Sequence, residues 1–109
     1  INTELLLFIV KHESGFEEAA KNQNSSAGGI AQFLKSTWEN AGCAGDRFNG
    51  LDNAECLIQF MRNPANISHW TADDQMFVWL FEAGFIEENG DLMREYWPES
   101  HKTIAVDNL

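Results

Sequence analysis

Basic residues are scarce in this chain. Lys and Arg number 7 against 17 Asp and Glu, for a formal charge of −10. Binding nucleic acid needs a basic stripe that neutralises phosphates and releases their counterions, and none is present. The same deficit argues against an anionic membrane surface. A polymer of neutral sugar rings remains compatible, although acidic wall polymers would be repelled. The charge is equally that of a plain solvated surface. An acidic mimic of nucleic acid has the charge alone in its favour.

Long apolar runs are missing too. The longest, Leu5 to Val10, is far short of the roughly 20 residues that span a bilayer, so no membrane insertion is expected. The chain has no initiator Met, basic leader or cleavage pattern. It is expected to be a mature or excised domain whose export signal, if any, lies outside it. Cysteine is limited to Cys43 and Cys56. The pair fits one disulfide in an oxidising compartment or two inert thiols in a reducing one. No His and Cys cluster accompanies it, which argues against zinc.

Other chemistries are excluded by their missing parts. His12-Glu13 lacks the second His of a zinc protease helix. Asp46-Arg47-Phe48-Asn49-Gly50 lacks oxygen ligands at calcium-loop spacing. There is no glycine-rich phosphate loop and no nucleophile elbow. No cofactor and no metal are expected. Asn24-Ser25-Ser26 and Asn66-Ile67-Ser68 match the glycosylation triplet, which chance often produces.

What the chain does hold is apolar and aromatic. Apolar residues make up 44% and aromatic ones 12% of 109 residues, enough for one globular domain with a real core. Four Trp and eight Phe exceed a minimal core, so some rings are expected to line a cleft. The class is mainly α, since nothing alternates over a strand's length. After the caps Asn2 and Thr3, a helix runs from Glu4 to Ser14 and stops at Gly15. Leu6, Ile9, Val10 and Glu13 share one face, and Leu5, Leu7 and Phe8 make the helix apolar nearly all round, as a buried one is.

A short polar helix is expected over Glu17 to Lys21, then a tight loop through Ala27-Gly28-Gly29. Ser36 and Glu39 form a capping box for a short helix around Trp38, closed by Gly42. Asp52 caps a helix with Ala54, Leu57, Ile58 and Met61 on one face, ending before Pro64. Thr71 and Asp74 repeat the capping pattern before Met76, Phe77, Leu80 and Phe81, up to Gly84. Asn89-Gly90 is a turn, and Asp91 caps a last turn or two. A two-residue β-turn is expected at most near Asn24 to Gly29 or Asp46 to Gly50.

Glu13 ends an apolar stripe. A carboxylate there is costly when ionised and unpaired, so its pKa should rise, which suits a general acid. A helix-terminal Glu that turns to solvent is the bland alternative.

Three segments then stand in order: His12-Glu13-Ser14-Gly15-Phe16, Ser25-Ser26-Ala27-Gly28-Gly29-Ile30-Ala31-Gln32-Phe33 and Ser36-Thr37-Trp38. Together they resemble the soluble lytic transglycosylase and goose-type lysozyme group. Gly42-Cys43, Asp46-Arg47-Phe48 and Asp52-Asn53-Ala54-Glu55-Cys56 look like its cysteine-containing branch. The likeness covers residues 1 to about 60 well and the rest weakly, within one domain over 1–109. It implies a lysozyme-like helical domain with a substrate cleft, acting as a monomer on peptidoglycan glycan strands outside the cytoplasm. It also implies a Cys43–Cys56 disulfide in the exported protein.

Carried over by residue, Glu13 matches the acid/base and Ser14 the neighbour that fixes it. Gln32 matches the cleft glutamine, and Gly29 the glycine that lets backbone approach the sugar. Ile30, Phe33 and Glu82 complete the expected glycan contacts, with a merely solvent-facing Glu82 as the alternative. An amide such as Gln32 can donate to and accept from sugar groups at once, or bond the loop's own backbone.

The second half departs from the pattern. Where the family carries Tyr-Asn-Ala-Gly, this chain has Phe81-Glu82-Ala83-Gly84, so the ring offers no hydroxyl. Tyr96, the single tyrosine, is the one candidate for a structural substitute, and the sequence does not place it. Asp46, Asp52 and Glu82 fall near the glycan by the resemblance without matching a nucleophile position. The expected reaction is non-hydrolytic cleavage of the β-1,4 bond after N-acetylmuramic acid. The rivals are a hydrolytic muramidase on the same fold and a non-catalytic glycan- or partner-binding module.

Overall fold

The computed structural model describes residues 3–99, and among them the ordered elements are helical. The mainly α class expected above is the one adopted. β pairing is limited to the isolated bridges Lys21↔Gly28, Gly28↔Phe33 and Ile86↔Leu92.

Helix α1, Thr3–Ser14, has Glu4 in its first turn and Lys11 and His12 in its last, the order that complements the helix dipole. Its buried residues are Leu5, Ile9 and Val10, whereas Leu7 is 52% exposed. Burial all round is therefore corrected to one stripe. Leu7 lies about 200° around the helix from Leu5, on its far side. Asn2 lies outside the described residues.

No helix forms over residues 17–21. Gly15 and Phe16 both adopt left-handed backbone, with φ of 61° and 67°, which turns the chain out of α1. Two turns follow, Glu17 N–H to Ser14 O and Ala20 N–H to Glu17 O, before the Lys21↔Gly28 bridge takes the backbone.

Helix α2, Lys35–Asn40, starts without the expected capping box. Its N-cap is Leu34, and Ser26 Oγ accepts from Lys35 N–H at 3.0 Å instead. Helix α3, Gly50–Phe60, is capped by Asn49, whose Oδ1 accepts from Asp52 N–H, and from a distant loop by Glu18, whose Oε2 accepts from Gly50 N–H. Asp52 turns its own carboxylate to Asp46 N–H. The buried face is Asn53, Cys56 and Leu57, while Ile58 is exposed, so α3 is rotated from the expected register.

Two compact units divide the chain, with boundaries inside α1 and at the end of α3. The first, Leu6–Phe60, packs Ile9, Val10, Ala31, Trp38 and Leu57 with the ring of Phe33. That ring meets Trp38 at 5.9 Å and Phe60 at 5.5 Å, edge to face, the arrangement that ring quadrupoles favour. A disulfide joins Cys43 to Cys56. Burying each large apolar side chain contributes about 1.5–3 kcal/mol.

The second unit, described over residues 3–5 and 61–99, buries Leu5, Met61, Ile67, Trp70, Met76, Leu80, Phe85, Ile86 and Leu92. A 3-10 turn, Pro64–Ile67, runs into α4, Ser68–Thr71. Helix α5, Asp74–Glu82, is capped by Asp73, whose Oδ1 accepts from Met76 N–H at 2.8 Å. Thr71, the expected cap, ends α4. Asn89 makes the expected turn by accepting from Asp91 N–H, and a 3-10 turn, Arg94–Tyr96, follows with Met93 rather than Asp91 at its cap. The tail after Ser100 lies outside the described residues.

Candidate active site

Glu13 stands half-buried in the last turn of α1, one residue before its end. The next residue ties that turn to a neighbouring loop. Ser14 Oγ lies 2.7 Å from Ile30 O and 3.2 Å from Val10 O. A hydroxyl has one proton to give, and the shorter contact is the one to Ile30. Helix end and loop are thus joined beside Glu13.

The loop is held by its own backbone. Gly29 N–H donates to Ala20 O, Gly28 N–H to Phe33 O and Gln32 N–H to Gly29 O. Gln32 is left-handed at φ 56°, an uncommon state for a side-chain-bearing residue. Its amide Nε2 donates to Gly29 O at 2.9 Å and to Ala20 O at 3.2 Å, which offsets that cost. Both amide protons are thereby engaged in the loop, and the carbonyl end is what a ligand could meet.

Two residues that sequence reasoning missed complete this frame. Asn53, fully buried, accepts from Ala31 N–H at 3.1 Å through Oδ1. Its Nδ2 donates to Arg47 O at 2.8 Å and, more weakly, to Gly28 O at 3.4 Å. The Arg47 guanidinium donates to Ser26 O and Phe33 O, and lies 5.3 Å from the centre of the Phe48 ring. A signal for Asn53 was present: it is a polar residue three and four positions before Cys56 and Leu57, on the core face of α3.

Ile30 is half-buried, and its carbonyl serves Ser14. Phe33 is fully buried against Trp38 and Phe60, so its side chain belongs to the core rather than to a glycan surface. Gly29 is buried, and the close approach that it permits is to Arg47 O and Asn53 Nδ2, which a Cβ would overlap. Asp46 and Asp52 accept backbone N–H bonds from Phe48 and Asp46 respectively.

Glu82 belongs to the second unit, exposed at the end of α5 beside the exposed Phe81. Tyr96 is also there, its ring 4.8 Å from that of Phe85. Desolvation, then the carboxylates of Glu95 and Glu4, hold its phenol above the ordinary value. A cavity of about 760 Å³ in this unit is walled by Phe77, Asp91, Arg94 and Trp97 among others, and none of Glu13, Ser14, Gly29, Ile30, Gln32, Phe33 or Glu82 is in its wall. Among the described residues no group of three or more His, Cys, Asp or Glu could hold a metal, and no helix is long and apolar enough to cross a membrane.

Comparison with known proteins bears on the first unit most. A family model described as the transglycosylase SLT domain matches residues 1–63. Neither the curated proteins nor the solved structures contain a match. The matched stretch holds Glu13, Ser14, the Gly29 to Phe33 segment and both cysteines, and it exceeds half of the 109 residues. On that ground the chain belongs to the transglycosylase SLT domain family, with its lysozyme-like helical fold.

Proposed function

We propose that this chain cuts the β-1,4 bond after N-acetylmuramic acid in bacterial peptidoglycan by lytic transglycosylation, outside the cytoplasm. Membership of the family implies a peptidoglycan-directed, glycan-cleaving domain. The observation that carries the finer reading is the bond from Ser14 Oγ to Ile30 O. It couples the turn bearing Glu13 to the loop bearing Gln32, so acid and glycan-holding amide are parts of one frame.

In the proposed reaction the protonated Glu13 gives its proton to the glycosidic oxygen. The bond from that oxygen to the anomeric carbon breaks, and positive charge develops on the ring. Glu13, now a carboxylate, takes the proton of the sugar's C6 hydroxyl as that oxygen bonds to the anomeric carbon. The products are a 1,6-anhydro sugar and a free hydroxyl, and the acid is restored. No water is consumed. In this scheme Gln32 accepts through its amide oxygen from the bound sugar.

Hydrolysis by a carboxylate pair needs a second acid at about 5–5.5 Å or about 6.5–9.5 Å from the first. Asp46 and Asp52, the rivals within the first unit, accept from the backbone N–H groups of Phe48 and Asp46, which favours a single-carboxylate mechanism. The non-catalytic reading draws on Phe81-Glu82 in place of Tyr-Asn.

Exchange of Glu13 for Gln decides between catalysis and mere binding. Glu13→Gln keeps shape and removes the proton, so turnover of solubilised peptidoglycan should fall by at least about 10²–10⁴-fold with the fold unchanged. Turnover at the wild-type level would remove Glu13 from the chemistry.

A further inference from the structure

We infer that Asn53 is a positioning residue of this site, acting on the Glu13 turn through a single peptide unit; the inference rests on the catalytic reading above. Ile30 C=O and Ala31 N–H belong to the same peptide plane. In a trans peptide these two groups point to opposite sides. Ser14 Oγ grips the carbonyl side at 2.7 Å, and Asn53 Oδ1 grips the N–H side at 3.1 Å. One plane is therefore clamped between the end of α1 and the buried face of α3.

A hydroxyl, a peptide and an amide in series polarise one another, so each bond strengthens the next. The far end of the Asn53 amide is also fixed, by donation to Arg47 O and Gly28 O. Its full exclusion from solvent means that no water replaces these partners if one is lost. The clamp sits between helices that already carry the fold: α3 is linked by the Cys43–Cys56 disulfide one turn further on. What Asn53 adds is the orientation of the 30–31 peptide, and through it the direction of the Ser14 hydroxyl next to Glu13.

Two residues that act through one peptide must share their effect. A double-mutant cycle on turnover measures that sharing, because independent contributions multiply and shared ones do not. Ser14→Ala, Asn53→Ser and the double variant would be assayed on solubilised peptidoglycan, each normalised to folded protein. Asn53→Ser leaves a small polar side chain and is gentler than Asn53→Ala, which would be run beside it.

Each single variant should lose about tenfold to a hundredfold in kcat, with KM within about twofold of wild type, the pattern of misplaced groups rather than lost binding. The double variant should lose no more than the worse single one. Losses that multiply, a change confined to KM, or wild-type kcat in the Asn53 variants would overturn the assignment while leaving Glu13 in its role. A wild-type protein without turnover would overturn the catalytic reading and this one with it.

Discussion

Gly29 shows how much one position can carry in a short loop. Its backbone is left-handed, with φ of 81°, and a Cβ there would overlap the carbonyl of Arg47 and the amide nitrogen of Asn53. Neither partner can retreat cheaply, because one is backbone and the other is buried and fully bonded. Gly29→Ala should therefore cost at least about 2–3 kcal/mol in urea unfolding. Gly15 is also left-handed but has open space around its Cβ direction, so Gly15→Ala should cost only about 1 kcal/mol. Equal losses at the two positions would refute the packing argument.

At this scale the sequence was legible where residues stand close together along the chain. The Glu13-Ser14 pair and the Gly29 to Gln32 segment could be read as a set. Asn53 and Arg47 were not, since their roles are contacts 22 residues and 14 residues away along the chain, from Asn53 to Ala31 and from Arg47 to Phe33.

Among elements, helices were easier to find than their beginnings. Apolar spacing located α1, α3 and α5, yet the caps of α2, α3 and α5 were each misplaced. The cause is physical: any nearby acceptor can satisfy a helix's first N–H groups, and here Ser26 and Glu18 do so from distant loops. The false helix over residues 17–21 has a similar origin, because nothing in the local pattern marks Phe16 as left-handed. The disulfide ties the segment after α2 to α3, through cysteines 13 positions apart. Closing a loop of that size restricts the unfolded chain by about 3 kcal/mol. Reductant should lower the urea midpoint by the corresponding amount, and an unchanged midpoint would contradict a stabilising link.

For the whole molecule, the family match over residues 1–63 and the compact unit Leu6–Phe60 nearly coincide. That unit holds Glu13, Ser14, Gln32 and Asn53. The family match ends at residue 63, close to where the second unit takes over, and Phe81-Glu82 lies beyond it. A formal charge of −10 suits a neutral glycan better than a polyanion. The central claim proposed for this molecule is that a single carboxylate, Glu13, cuts the glycan without consuming water. Its most direct test is digestion of purified peptidoglycan in water enriched in heavy oxygen, with mass spectrometry of the muropeptides. Unlabelled 1,6-anhydro products, each lighter by one water than the hydrolytic product, are the predicted result. Heavy oxygen at new reducing ends would contradict the claim and turn attention to Asp46, Asp52 and Glu82 as the second acid of a hydrolase.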